Sequence, residues 1–273
     1  MNQPARRLPR ASLALLAGLA GACCAHAPPV ARPYAAPTAE ELAGLLAARA
    51  TAVRSLNARA RATSWLGGER LRATVLMLVE RDGHLRFEAE VSLQGTVATL
   101  ATDGRAFALL DARKNELSRG PACPANVASL VRIPLAPAEI AAIVLGDARR
   151  PEGATVSPTV AWDAERGADV LELVTPAETL HVFFARHGGA VDVVGAEALA
   201  AGRRLWRTSY DDFEGAAPAR MPTTLRFAEG AASYDDGVEI KLKDHELGVK
   251  PPDAAFTLAP TPGVTIKDVG CGG

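Results

Sequence analysis

Few residues of this sequence stand at a spacing that would support catalysis or metal binding. His181 and His187 flank a predicted strand end before Gly188-Gly189, a setting that favours satisfied or solvated side chains over metal ligands. The adjacent pairs Asp211-Asp212 and Asp235-Asp236 would point to opposite faces of a strand, so their carboxylates do not share a site. The sequence has no G-x-S-x-G elbow, glycine-rich phosphate loop or H-E-x-x-H motif. We therefore predict no enzyme activity, no cofactor and no metal site.

The N-terminus has the pattern of an export signal. Arg6, Arg7 and Arg10 precede the apolar run Ala11–Ala20, as the charged and apolar regions of a secretory signal peptide do. As a helix this run would extend about 15 Å, half of what a bilayer core requires. We predict a signal peptide over residues 1–22 and no membrane span.

Cys23 is a candidate lipidation site. It directly follows Ala20-Gly21-Ala22, an arrangement that resembles a lipobox, where a diacylglycerol is attached to the thiol and cleavage exposes the cysteine. Such sites usually have leucine where Ala20 stands, and an ordinary A-x-A cleavage site would also leave Cys23 first. We predict lipidation of Cys23, a proline-rich extended tether over residues 23–37, and a folded domain over residues 38–273.

Export would also place Cys123 and Cys271 in the oxidising periplasm. There they could form a disulfide between a mid-chain loop and the C-terminal tail, provided that their Cα atoms come within about 7 Å of each other. Two free thiols are the alternative, and the sequence leaves both open.

The composition is that of a globular domain without a preference for nucleic acid. Hydrophobic residues make up 48% of the chain, which is ample for a core. The sequence has 30 basic and 31 acidic residues. Without a basic excess, and with only 5% aromatic residues, the chain lacks the charge and the stacking platforms that bind nucleic acid.

A helix and a long series of strands are predicted to build the folded domain. Residues 38–55 carry one apolar stripe at helical spacing, and Thr38 with Glu41 forms a capping box. From Leu56 the apolar period changes to two, and alternating segments separated by turn residues follow. Two short helices, each begun by proline, interrupt the strands near residues 124–146.

These elements predict a mainly β (α+β) domain. About ten or eleven antiparallel strands would form a single large curved sheet, an unclosed barrel. The N-terminal helix has an apolar face that it must bury. We expect this helix and the two inserted helices to cover the concave face of the sheet.

Three passages of the chain carry a resemblance to a known protein family. They are Cys23 before the first helix, the turn Val91-Ser92-Leu93-Gln94-Gly95, and Leu130–Leu135 followed by Ile140–Gly146. Together they resemble the LolA/LolB superfamily of periplasmic lipoprotein carriers, especially LolB-like outer-membrane lipoproteins. In that family the exposed apolar residue of the turn lies between proline and glycine, where this chain has Ser92 and Gln94, and tryptophan is common where Ala142 stands.

The resemblance implies a cavity for acyl chains inside the barrel. The residues that it assigns to the cavity wall are Leu71, Val75, Met77, Leu85, Phe87 and Phe107. Alternating apolar residues of strands more often form a closed, dry core, and that alternative stands beside the cavity. Leu93 falls at the family's membrane-contacting position, although single exposed leucines are commonplace.

The function that the resemblance implies is lipoprotein localisation. The chain would be lipid-anchored in the inner leaflet of the outer membrane and face the periplasm. Its partners would be acylated lipoproteins or another lipid, and a periplasmic LolA-like carrier. The alternative is a structural or assembly lipoprotein whose sheet binds a protein partner of the cell envelope without lipid transfer.

Overall fold

The computed structural model describes residues 30–66, 69–151 and 156–271 of the chain. The predicted signal peptide, the lipidation site Cys23 and the first part of the predicted tether lie outside the described residues. The three α-helices are α1 (Ala39–Ala52), α2 (Pro124–Val131) and α3 (Pro137–Val144). The strands are β1 (Ser55–Leu66), β2 (Glu69–Glu80), β3 (His84–Val91), β4 (Gly95–Asp103), β5 (Ala106–Asp111), β6 (Glu116–Pro121), β7 (Val156–Asp163), β8 (Ala168–Val174), β9 (Thr179–His187), β10 (Ala190–Ala200), β11 (Arg203–Glu214), β12 (Met221–Glu229), β13 (Val238–Leu247) and β14 (Thr265–Asp268).

All strands of the described residues belong to one curved, unclosed sheet. Its order is β14-β6-β5-β4-β3-β2-β1-β13-β12-β11-β10-β9-β8-β7. Neighbouring strands are antiparallel except that β14 pairs with β6 in parallel. We call the end that carries the β3–β4 turn the upper rim, and the opposite end, with the β2–β3 and β7–β8 turns, the lower rim. The prediction of a mainly β, unclosed sheet with three covering helices is confirmed.

The sheet has 14 strands in the described residues, more than the ten or eleven expected. One strand that the sequence pattern did not reveal is β10, which pairs with β9 and β11. Its residues are almost all apolar or small, and buried residues occur on both of its faces. A strand covered on both faces has no polar alternation, so the period-two test cannot detect it.

The three helices lie against different parts of the sheet. Helix α1 packs on β7 and β8, α2 on β4 and β5, and α3 on β2 and β3. The predicted capping box begins α1, where Thr38 Oγ1 accepts from Glu41 N at 3.1 Å and Thr38 N donates to Glu41 Oε2 at 2.7 Å. None of the described helices is long and apolar enough to cross a membrane.

The chain leaves helix α3 through a residue that must be glycine, two positions after the end of the helix. Gly146 has a φ of 70°, the left-handed conformation that favours glycine. A Cβ at this position would also lie 2.4 Å from Pro222 Cγ, so a larger residue has no room. The sequence therefore stops α3 where it meets β12.

A buried arginine joins α1 to the end of α3. Arg49 Nε donates to Gly146 O at 3.1 Å, Nη2 donates to Leu145 O at 2.8 Å, and Nη1 donates to Arg220 O. Two of these acceptors are the carbonyls of the two residues that follow α3, where the chain leaves the helical hydrogen-bond pattern. Burial lowers the pKa of Arg49 from its ordinary value, although the neighbouring Asp147 opposes the shift.

Asp147 extends this contact to the β2–β3 turn. Its Oδ2 is 3.0 Å from Nη1 of Arg81, which also donates through Nη2 to Val53 O at the end of α1. The hydroxyl of Tyr210 donates to Asp147 O at 2.8 Å. Burial raises the pKa of Asp147, and the Arg81 charge counteracts this. These groups close the lower rim of the barrel.

The two ends of the described chain both pack on the sheet. At the C-terminal end, Cys271 forms a disulfide with Cys123, the N-cap of α2, and their Cα atoms are 6.0 Å apart. At the other end, Val30 N donates to Ala164 O at 2.9 Å, and Trp162 Nε1 donates to Val30 O at 2.7 Å. Arg32 pairs with Asp169 at 2.9 Å and Tyr34 contacts Trp162, so the described part of the predicted tether lies against the sheet.

We predict that Arg49→Met lowers the free energy of unfolding by about 3–5 kcal/mol, because it leaves the carbonyls of Leu145, Gly146 and Arg220 without their donor and removes one of the two cations near Asp147. Arg54→Met is the matched control, since Arg54 is exposed and its replacement should change stability by about 0.5 kcal/mol or less. Urea unfolding followed by circular dichroism measures both. Equal losses in the two variants would contradict the role given to Arg49.

We predict that Cys271→Ser lowers the free energy of unfolding by about 2–4 kcal/mol under oxidising conditions, because the bridge restricts the unfolded chain. Denaturant unfolding of the full mature chain, with and without dithiothreitol, measures the loss. The reductant should destabilise the wild type and leave the variant unchanged. A wild type that is insensitive to the reductant would mean that the two thiols are free.

Candidate ligand cavity

An apolar cavity of about 430 Å³ opens at the upper rim of the barrel. Its volume lies within the range of about 300–1,000 Å³ that is usual for small-molecule sites. The walls come from the upper parts of β13, β1, β2 and β3, and the C-terminal end of α2 covers one side. The apolar side chains of the β-sheet wall include Leu71, Val75, Met77, Phe87, Val238 and Ile240.

Four of the six predicted cavity residues line this space. Met77 and Phe87 are 2% and 3% exposed and form its deep part, whereas Leu71 is 47% exposed and lies at the mouth. Val75 lies between them on β2. The wall thus runs from a buried floor to an open entrance.

The other two predicted residues, Leu85 and Phe107, do not line the cavity. Both are fully enclosed in the hydrophobic core. Leu85 pairs with Val79, and Phe107 pairs with Thr102, in the half of the sheet near the lower rim. Other core side chains enclose both residues, so the closed-core alternative describes these two positions.

Small side chains and a short helix account for the void. Ala62 pairs with Ala73, and Ala89 pairs with Val75, so three alanines lie along neighbouring strands of the cavity wall. Helix α2 ends at Val131 and does not extend further over these strands. Volume that larger side chains or another helical turn would fill therefore stays open.

Leu93 lies beside the cavity entrance. It is fully exposed at the tip of the β3–β4 turn, and its φ of 69° is a left-handed conformation that costs a leucine about 1 kcal/mol. Val91, at the start of the same turn, lines the cavity. An exposed leucine in an unfavourable backbone conformation has no role in folding that would explain it, which favours an external contact.

Three arginines surround the entrance, and sequence analysis did not identify them. Arg72, Arg113 and Arg132 line the cavity together with its apolar residues, and the lining contains no aspartate or glutamate among the described residues. They come from β2, from the β5–β6 turn and from the residue after α2. They are far apart in the sequence. The order of the strands in the sheet brings them together, and no local sequence pattern predicts it.

Two other groups of polar residues lie elsewhere. Glu80, Asp82 and His84 at the β2–β3 turn bring one ligand atom each within 4.8 Å of one another, a geometry that could hold a metal ion. Asp82 Oδ1 is 2.8 Å from Nδ1 of His84. Partial burial, and then the Asp82 charge, raises the pKa of Glu80.

His181 contacts two carboxylates, and its hydrogen bond to Glu197 raises its pKa.

A second hollow, of about 570 Å³, lies between α1 and α3. Its walls contain several alanines, among them Ala142, but also Arg81, Asp82 and Asp147. An acyl chain placed there would remove water from charged groups at a free-energy cost. The cavity at the upper rim is therefore the better candidate for an apolar ligand.

Comparison with known proteins identifies the fold. No protein-family model matches the sequence, and no curated protein matches it. A LolA superfamily protein from Nitrosomonas europaea is 16% identical, with a TM-score of 0.52 over 82% of this chain and 99% of that chain. A DUF1329 family protein from Desulfovibrio piger is 13% identical, with a TM-score of 0.55 over 80% of this chain and 97% of that chain.

A third similar structure is described as an outer membrane lipoprotein-sorting protein domain from Vibrio parahaemolyticus. It is 11% identical, with a TM-score of 0.54 over 80% of this chain and 97% of that chain. Each likeness extends over nearly the whole of the other chain, and at such identities it establishes the architecture alone. The chain has the fold of the LolA superfamily.

Proposed function

We propose that this chain is a LolB-like outer-membrane lipoprotein that binds the acyl chains of lipoproteins, or of another lipid, in the cavity at the upper rim. The observation that carries the proposal is the apolar cavity of about 430 Å³ with an open entrance. The fold shared with a LolA superfamily protein and with a lipoprotein-sorting domain supports it. The role is one of binding and transfer rather than catalysis.

The free energy of burying an acyl chain supports this function. Each methylene group removed from water contributes about 0.8 kcal/mol, so a chain of about 14 carbons gains roughly 11 kcal/mol when it is fully buried. The flexible thioether of Met77 on the cavity floor can adapt to chains of different shape. The open entrance leaves part of the chain accessible, which keeps its release feasible.

The proposed location and partners follow from the same role. Lipidation of Cys23 would anchor the chain in the inner leaflet of the outer membrane, facing the periplasm, and a LolA-like carrier would deliver the cargo. Leu93 would touch the membrane next to the cavity entrance, since Val91 of the same turn lines the cavity. Acyl chains could then leave the cavity without crossing water.

Native mass spectrometry of the mature chain, purified from a bacterial host, tests this function. Co-purified lipid or acylated peptide is the expected result. A ligand-free mass together with a stoichiometric protein partner would instead favour the structural or assembly lipoprotein, and would reject the proposed function.

We predict that Ala73→Phe reduces the bound lipid at least tenfold, because the added ring occupies the volume next to Leu71 and Val75. Ala231→Phe, at an exposed loop position, is the matched control and should bind as the wild type does. Binding is measured as the lipid-to-protein ratio in native mass spectra, and thermal unfolding shows that both variants fold. Unchanged lipid in a folded Ala73→Phe variant would place the ligand elsewhere.

We predict that Leu93→Glu slows transfer of lipoproteins to membrane vesicles without changing thermal stability, because a carboxylate at the tip opposes insertion into the apolar layer. Leu205→Glu introduces the same charge at another exposed leucine, on β11, and should transfer normally. Transfer is followed by flotation of vesicles with labelled lipoprotein. Equal transfer by both variants would reject the role of Leu93.

A further inference from the structure

The cavity entrance has only positive charges, although the chain as a whole has nearly equal numbers of basic and acidic residues. The whole sequence has 30 basic and 31 acidic residues. The cavity lining has three arginines, Arg72, Arg113 and Arg132, and no acidic residue among those the structure describes. An apolar cavity bordered by cations alone matches a ligand that is apolar at one end and anionic at the other.

These arginines are not engaged by carboxylates. In the described part of the chain, Arg72 and Arg132 enter no ion pair, and Arg113 Nη2 donates to the neutral Oε1 of Gln94 at 3.1 Å. Asp111, two positions before Arg113, accepts from backbone N–H groups and lies 3.4 Å from Lys114 Nζ. All three guanidinium groups are exposed and remain free to bind an anion.

Elsewhere on the described part of the sheet some arginines pair with carboxylates, and others, such as Arg61 and Arg203, enter no ion pair. Arg220 and Arg226, for example, pair with carboxylates at 2.7 Å and 2.6 Å. Arg132 also has a φ of 61°, a conformation in which glycine or asparagine would be less strained. The charge of Arg132 therefore lies beside the cavity at a conformational cost.

We propose that the cavity ligand is an acidic phospholipid, with its acyl chains on the Met77 side and its phosphate group between Arg72, Arg113 and Arg132. This inference rests on the proposed function, because it names the lipid that the same cavity takes. Guanidinium groups bind phosphate oxygens through paired, charge-assisted hydrogen bonds, which are stronger than bonds between neutral groups. A diacylglycerol attached to a cysteine thiol has no such anion at its linkage.

Binding of short-chain lipids to the full mature chain tests the proposal. The probes are diheptanoyl phosphatidylglycerol, diheptanoyl phosphatidylcholine and diheptanoylglycerol, below their micelle concentrations, and calorimetry at low and high salt measures affinity. The wild type should bind phosphatidylglycerol roughly tenfold or more tightly than the other two. High salt should reduce this preference, because it screens exposed charges.

Two triple variants assign the preference to the entrance. Arg72→Gln, Arg113→Gln and Arg132→Gln together should remove the preference and leave the binding of diheptanoylglycerol, which has no phosphate, unchanged. Arg54→Gln, Arg105→Gln and Arg203→Gln remove the same charge from exposed positions outside the cavity lining and should preserve it. A preference that survives in the first variant would overturn the assignment of the three arginines.

The wild-type results separate the two proposals. Equal affinity for all three lipids would overturn the anionic ligand and leave acyl-chain binding intact. Failure to bind any lipid would reject acyl-chain binding itself, and with it the inference about the headgroup. A preference for phosphatidylglycerol that is lost only in the first triple variant supports both.

Discussion

The buried guanidinium of Arg49 is the contact on which the rest of the barrel depends. A strongly curved sheet has more concave area than its own side chains can fill, so helices must cover it and must be held in place. Arg49 ties α1 to the carbonyls that follow α3, and Arg81 ties the end of α1 to Asp147. These contacts hold both helices against the sheet, and the hollow that remains between α1 and α3 is bordered by the charged groups of Arg81 and Asp147.

The upper half has no comparable fixation and keeps its void. There α2 supplies a single short wall, anchored at its start by the disulfide of Cys123 and free of a buried ion pair at its end. Alanines replace larger residues on the facing strands. The buried ion pair of Arg81 with Asp147 and the apolar cavity therefore lie at opposite ends of the strands.

Sequence analysis predicted the strands that have one face in the core and the other face in water. Strands such as β3, with Leu85 and Phe87 inside and Arg86 outside, were recognisable because water covers one face. The strand β10 was missed because both of its faces are covered. The placement of Leu85 and Phe107 outside the cavity depends on which rim each strand end reaches, and the three entrance arginines depend on strand order. Such long-range relations are not encoded in the spacing of residues along the chain.

The contacts of residues 30–37 with the sheet determine how a barrel anchored through Cys23 would be oriented relative to the membrane. Val30 is held at the β7–β8 turn, on the lower rim, whereas Leu93 and the cavity entrance are on the upper rim. With Cys23 in the bilayer, residues 23–29 could reach at most about 25 Å, while a strand as long as β1 extends about 40 Å. If Cys23 is lipidated as proposed, the docked form would hold the lower rim near the membrane and the cavity entrance away from it. Contact of Leu93 with that membrane would then require residues 30–37 to leave the sheet.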